Sequence, residues 1–359
     1  MNAAALRAQY PVLDSAAYLN AGTCGPLPAA ALRAGSVASK AAAEQGRGTM
    51  YFEELTWVRE RLRAAYAGVI GGQPEEVSLT TSTSDGMARV LSGLGLRRGD
   101  EVLTADDEHP GLYGPLAAAR AQLGIDVRAV PLADIADAVT PSTRLVACSH
   151  VSWISGALAP AALASLEDEV PVLLDGAQGA GALPVDVTAL GCAFYAGAGQ
   201  KWLCGPVGTG LLWVAPAWRE RLAITTPTYV NLSAPTAGLE AEPWPDARAL
   251  DASALAYETM VIALTAHDVL DIVGWSAVHE RATGLAAALA EQLRGTGRTV
   301  APRGNTTLVS WEQPDPAAAV ARLAREGVAV RSLPQTPYLR ASVGAWNDES
   351  DLEQLLTAL

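Results

Sequence analysis

No two of the four cysteines, Cys24, Cys148, Cys192 and Cys204, stand in CxxC spacing. That scatter excludes a thiolate metal site and a disulfide framework, and thiols kept reduced predict a cytoplasmic setting. Charge is sparse as well. Only 18% of the 359 residues are charged while 50% are hydrophobic, a balance that excludes disorder and supplies a sizeable core. The charge present sums to −13, which disfavours nucleic acid and anionic membranes as partners. Apolar runs of about 20 residues are missing, so no transmembrane helix is expected. The opening MNAAALRAQYPVLD has neither a basic n-region nor an apolar h-region, so no signal peptide is expected. No GxGxxG follows the first strand and no Walker lysine occurs, which removes the usual nucleotide-binding readings.

What is present is an alternation. Ala29–Glu44 and Tyr51–Tyr66 carry helical spacing. After them, VSLT, EVLTA, VRAVPL, TRLVACS and VPVLL read as short strands, each followed by a polar or glycine-rich turn, with Ala/Leu-rich helical stretches between several. This is the pattern of an α/β protein with a mostly parallel sheet and helices on its faces. GTGLLWVAP adds another strand. Thr225–Leu250 is rich in Pro, Thr and Gly and reads as a long irregular segment, a length that is often functional. Asp251–Leu293 is mostly helical. The end alternates TTLVSW, PAAAVARLAREG, VAVRSL and LRASVG with a final helix from Glu349, as in a small α/β domain.

Four turns after strands hold polar groups suited to chemistry. Ser82, Thr83 and Ser84 precede a helix start near Asp85, which suits an anion or an ordinary N-cap. His109 in DDEHPG can stack on an aromatic ring and move protons, or be a plain loop histidine. Asp175 ends the apolar run VPVLL, where a buried carboxylate needs a cationic partner, or serves as a helix cap with Gln178 completing a capping box. Lys201 in YAGAGQKWLCGPVGTG lies among small and apolar residues, where desolvation lowers an amine's pKa toward the nucleophilic range.

Together the motifs EHP, LLDGAQGAG, GQKWLCGPVGTG and LRAS resemble those of the class V aminotransferase family of fold-type I pyridoxal phosphate (PLP) enzymes, across nearly the whole chain. KWLCGP looks most like the branch of isopenicillin N epimerase-like and lyase-like members. The resemblance implies a large PLP-binding domain with a mostly parallel, seven-stranded sheet and a small C-terminal α/β domain. Residues 1–20 would join the small domain, 21–250 would form the large one, and 251–359 the helical connection and small domain. Lys201 would hold the cofactor as an imine, Asp175 its pyridine nitrogen, Gln178 its phenolic oxygen and His109 its ring face. Ser82, Thr83 and Ser84 would help hold the phosphate, with Gln200 at the same site and Thr226 or Tyr229 arriving across a homodimer interface. Arg340 would bind the α-carboxylate of an amino-acid substrate, a task suited to a guanidinium fork, with Asn20 nearby.

The chain also departs from the family. Many members carry Ser and His where Ala198 and Gln200 stand, so the phosphate must lean on other groups. Desulfurases carry a mobile cysteine before the arginine motif, but RSLPQTPYLR has none, and they have an Asn pair where Ser152 and Trp153 stand. A persulfide-forming desulfurase is therefore disfavoured. Lys201, released by the substrate amine, is the best-placed base for the α-proton. Its removal leads to elimination of a β-substituent, to transamination or to epimerisation, and orientation over the ring decides among them. The lyase is preferred, with the aminotransferase or epimerase as alternatives. A non-catalytic binder is opposed by the intact lysine, aspartate and arginine.

Overall fold

The apolar runs become strands, and among the described residues their pairing sorts them into three sheets. The computed structural model describes residues 1–166 and 169–359. Numbered along the chain, the strands are β1 (Ala17–Tyr18), β2 (Val77–Thr80), β3 (Glu101–Ala105), β4 (Asp126–Val130), β5 (Thr143–Ser149), β6 (Val172–Asp175), β7 (Phe194–Ala198), β8 (Gly210–Val214), β9 (Leu308–Glu312), β10 (Val328–Ala329), β11 (Arg331–Ser332) and β12 (Tyr338–Ser342). The main sheet has seven strands in the order β2-β8-β7-β6-β5-β3-β4. The pairs β3–β4, β3–β5, β5–β6 and β6–β7 are parallel, and β8 runs against both of its neighbours. The chain is therefore an α/β protein of the expected mostly parallel kind.

Period-two alternation sends successive residues of one strand to opposite faces. Leu174 joins a cluster with Leu62, Tyr66 and Met260, whereas Leu173 joins Met87, Val90 and Leu116. Helices Thr49–Val69 and Tyr257–Asp271 thus cover one face, and helices Thr83–Gly93 and Pro110–Leu123 the other. Among the described residues, no single helix is long and apolar enough to cross a membrane.

The extended run VAVRSL does not form one strand as expected. It divides at Val330: Val328–Ala329 pair with β1 in parallel, and Arg331–Ser332 pair with β12 antiparallel. One run thereby serves two sheets. Thr225–Leu250 is irregular as expected, holding only the short 3-10 turns Tyr229–Asn231, Pro235–Glu240 and Ala247–Leu250.

One buried ion pair fixes the edge of the main sheet. Arg63 donates to both carboxylate oxygens of Asp251, at 2.8 and 2.7 Å, and to the carbonyl of Val77 at 2.8 Å. Asp251 Oδ1 also accepts the backbone N–H of Leu79 at 2.9 Å. Both side chains are buried, and the pair joins helix Thr49–Val69 to β2 and to the end of the irregular segment.

Candidate active site

Strand order makes the crevice. After β3 the chain crosses to β4 on one side and then returns to β5 on the other, so the loops leaving β3 and β5 diverge. Ligands of open α/β sheets bind at such a switch point, outside the carboxyl ends of the strands. The ends of β3, β5 and β6 deliver His109, the Ser149–Trp153 loop and Asp175 to this place.

Asp175 is buried at the end of β6, and its Oδ1 accepts the N–H of Ala177 at 2.9 Å. No helix follows it, so the helix-cap and capping-box readings do not apply. Burial raises its pKa, and the nearby Lys201 charge and the Ala177 N–H oppose that rise. Gly176 and Gly179 are required here. A Cβ on Gly176 would lie 2.2 Å from the Tyr195 ring, and one on Gly179 2.4 Å from its hydroxyl.

Lys201 keeps some accessible surface, yet its surroundings are dense enough to govern its charge. Burial, with help from Arg340 and Arg331 and against the opposing pull of Asp175 and Cys24, brings its pKa down to about 8. The segment around Cys24 lies directly against it. Gly25 N–H donates to the Gln200 carbonyl at 2.8 Å, and a Cβ on Gly25 would sit 2.0 Å from the Lys201 carbonyl oxygen.

His109 caps helix Pro110–Leu123, its Nδ1 accepting the Gly111 N–H at 2.9 Å. Burial brings its pKa down to about 4, and Lys201, Arg331 and Arg340 lower it too. The imidazole is therefore neutral near pH 7, with its hydrogen on Nε2. Its ring stands perpendicular to that of Trp153, with the centroids 4.9 Å apart. Ser84 is a close neighbour, since a Cβ on Gly111 would lie 2.8 Å from Ser84 Oγ and 2.9 Å from His109 Nδ1. Ser82 is spent as the N-cap of helix Thr83–Gly93, its Oγ accepting from Asp85 N at 3.1 Å. The helix start offers its unspent N–H groups and Thr83 Oγ1, which is buried without a partner.

Arg340 is completely buried and donates from Nη1 to the Trp153 carbonyl at 2.6 Å, leaving Nε and Nη2 without partners. Burial and then Arg331 bring its pKa down to about 9. Arg331, which sequence reasoning missed, stands directly across from it in the β11–β12 pair. Like charges in facing positions are unfavourable, so the hairpin holds a cationic pair suited to anionic groups. Arg331 donates to Thr23 Oγ1 at 3.1 Å, Thr23 donates to Asn20 Oδ1 at 2.7 Å, and the guanidinium lies 5.9 Å from the Trp153 ring. Asn20 thus reaches the site through Thr23 and Arg331.

Gln178 donates to the Gly22 carbonyl at 2.8 Å and accepts from Trp202 Nε1 at 3.0 Å. Gln200 Oε1 is buried and unpartnered. Thr226 stands apart from the Ser82 turn of its own chain: it is exposed and accepts from Arg89 Nη1 at 3.1 Å on the flank of helix Thr83–Gly93. Gly22 is where the walls converge. A Cβ there would lie 2.7 Å from Ser342 Oγ, 2.9 Å from Arg340 Nη2 and 3.0 Å from Gln178 Oε1. Gly22→Ala is expected to fold and yet to raise KM about tenfold or more, because the methyl displaces the buried guanidinium; steady-state kinetics beside a thermal melt check this.

A lysine of depressed pKa, a buried carboxylate and a buried, half-unpartnered arginine thus meet at the switch point of the sheet, a set of groups suited to holding pyridoxal phosphate. The chain belongs to the class-V aminotransferase family, whose model, Aminotransferase class-V, matches residues 17–355. Isopenicillin N epimerase of Streptomyces clavuligerus is 32% identical over 229 residues, 59% of this chain and 56% of that protein. A probable cysteine desulfurase of Methanothermobacter thermautotrophicus is 34% identical over 222 residues, 58% and 55% of the two. The chain thus spans little more than half the length of these curated relatives. Among solved structures, the cystine C-S lyase C-DES in complex with its reaction product cysteine persulfide has a TM-score of 0.90 at 27% identity, over 97% of this chain and 98% of that one. A C-DES mutant with glycine covalently linked to the PLP cofactor scores 0.91 at 27% identity, over 98% of both chains.

The residues present fit PLP. Thr83 Oγ1, Gln200 Oε1, Ser342 Oγ and two Arg340 nitrogens are buried polar atoms without partners in the protein. Orphans of this kind are costly unless a ligand completes them.

Proposed function

We propose that this chain is a cytoplasmic PLP-dependent lyase that breaks a C–S or similar bond at the β-carbon of an amino acid. The facing arginines carry this reading. Arg340 offers two unpartnered nitrogens to an α-carboxylate, and Arg331 opposite it offers a second cation to the far end of a longer substrate. A disulfide amino acid carries a carboxylate at each end, one for each arginine, and the likeness to the cystine C-S lyase supports the choice. The hairpin between the arginines supports it too. Leu333–Pro337 form a tight turn closed by the Leu333 N–H to the Tyr338 carbonyl at 3.0 Å, with no thiol on it to collect sulfur as a desulfurase does.

Bound PLP would supply an electron sink, attached at Lys201 and held at its ring nitrogen by Asp175. Lys201 Nζ, once free, takes the proton from the substrate's α-carbon, and its lowered pKa leaves part of it neutral near pH 7. Asp175 holds a proton at the ring nitrogen. His109 bounds the crevice as a neutral ring, and Trp153 screens it from water. Ser84, Thr83 and the start of helix Thr83–Gly93 hold the phosphate. Thr226 is too exposed to serve its own chain, so we assign its contribution to a second copy in a homodimer. Residues 1–20, 21–250 and 251–359 are proposed as the N-terminal segment, the large domain and the connection with the small domain. A second reading, epimerisation at the α-carbon, is favoured by the isopenicillin N epimerase likeness.

Incubation of the PLP-loaded protein with cystine and with single-carboxylate amino acids tests the proposal. Pyruvate, ammonia and a persulfide should appear from cystine; their absence from every amino acid tried overturns the lyase reading, and inverted substrate alone would establish the epimerase. Arg340→Ala is expected to raise KM about 100-fold for every substrate, whereas Arg331→Ala should do so by about tenfold and only for substrates with a second carboxylate. Parallel KM measurements on cystine and S-methylcysteine separate the two.

A further inference from the structure

Glu108 is 3% exposed, and its carboxylate is held by one residue: Ser149 donates its N–H at 2.7 Å and its Oγ–H at 2.5 Å. Burying a carboxylate near other carboxylates is expensive, so its presence calls for a compensating role. Its place supplies one. Glu108 leaves β3 and Ser149 ends β5, the two strands whose loops diverge at the switch point, so their bond closes the floor of the crevice. Ser149 is paired in register with Asp175 on β6. His109 is the next residue after Glu108. A parallel clamp beside it uses Asp107, which accepts from Ser152 Oγ at 2.7 Å and, through its carbonyl, from Trp153 Nε1 at 2.8 Å.

We propose that Glu108 is a positioning residue of the cofactor site: its clamp on Ser149 sets the His109 loop against the Asp175 strand end, and once ionised its negative charge adds to that of Asp175 toward a protonated ring nitrogen. The inference rests on the PLP reading of this site. The ionisable groups around Glu108 are Asp107 and His109 on its own loop, Tyr113 on helix Pro110–Leu123, Cys148 on β5 and Asp175 on β6. His109, the group among them able to carry positive charge, is kept neutral. Burial pushes Glu108 up to about 8, Asp175 and Asp107 add to the rise, and the Ser149 bonds oppose it. The coupling to Asp175 therefore switches on as pH rises through that value.

The test is a PLP titration of the full chain by visible absorbance, from roughly pH 6 to 10, on wild type, Glu108→Gln and Glu108→Ala. Glu108→Gln keeps the size and loses the charge. It should match wild type at the acid end, bind PLP roughly tenfold more weakly at the alkaline end, and lose its protonated-ring absorption about half a pH unit earlier. Glu108→Ala, without clamp or charge, should bind about tenfold more weakly at the acid end and about a hundredfold more weakly at the alkaline end. A Glu108→Gln profile superimposed on wild type overturns the charge coupling, and a Glu108→Ala profile superimposed on it overturns the clamp. If Glu108→Ala does not fold, Ser149→Ala replaces it. That variant removes one donor, so Glu108 holds its proton longer and the charge-dependent strengthening should begin at higher pH; an unmoved profile overturns the clamp. A wild type that takes up no PLP overturns the cofactor reading and this proposal with it, whereas loaded variants that track the wild type overturn this proposal alone.

Discussion

Lys201→Ala is expected to retain less than about a thousandth of the wild-type turnover, because one residue supplies both the attachment amine and the proton-transferring base. Borohydride treatment followed by intact-mass measurement should add one cofactor to the wild type and none to the variant. An equally labelled Lys201→Ala would move the attachment elsewhere and end this assignment. The same residue should act on stability in the opposite sense. Its folded pKa is about 8 against an ordinary 10.5, so between those values the unfolded chain binds more protons than the folded one. Stability from this group is complete above about 10.5 and is lost as pH falls toward 8. Lys201→Met without cofactor should therefore melt above wild type near pH 7, with the gain fading as pH approaches 10.5. Melts of the two apoproteins at several pH values check the sign.

The second large effect is on folding. Asp251→Ala is expected to cost about 3 kcal/mol, since it removes the buried partner of the Arg63 guanidinium, leaving it Glu60 at 3.1 Å and the Val77 carbonyl, and leaves the Leu79 N–H unpaired. Replacing both partners, as Arg63→Met with Asp251→Leu, should recover most of the loss, because paired apolar residues of similar volume avoid the desolvation of two ions. Urea unfolding of the two single variants and the double variant forms the cycle. A double variant as unstable as Asp251→Ala would show that the carboxylate acts mainly through Leu79 and not through the ion pair. Loss of this pair should loosen β2 and with it the Ser82–Ser84 turn, so PLP affinity should fall alongside stability.

Lys201, Asp175, His109 and the Ser82–Ser84 turn were legible in the sequence for a common reason. Each occupies a turn near the end of an apolar strand, and in a mostly parallel sheet those ends converge. Arg331 was not legible. Its partnership with Arg340 comes from antiparallel pairing across a hairpin, and the run VAVRSL gives no sign that it breaks at Val330 to join two sheets. Glu108 was hidden for the opposite reason. DDEHPG is so polar that it reads as a solvated loop, and only the closing of β3 against β5 buries one of its acids. The roles of Gly22 and Gly25 depend on a segment from the start of the chain resting against Lys201 and Arg340, a contact over distances in sequence that local pattern does not report. Resemblance puts Thr226 at the phosphate, and within one chain it lies instead against Arg89.

That same long-range contact sets an order of events during synthesis. Leu19 donates to the Ala329 carbonyl at 2.9 Å and accepts from the Ser342 N–H at 2.7 Å, so the strand leading into the wall that carries Asn20, Gly22 and Gly25 completes its backbone pairing only after residue 342 has been made. The large sheet can form on the ribosome well before that, while loop closure across more than three hundred residues is slow. Nascent chains would thus pass through a stage with the Asp175 and Lys201 turns in place but one side open to solvent. Capture of PLP would then belong to the last step of folding.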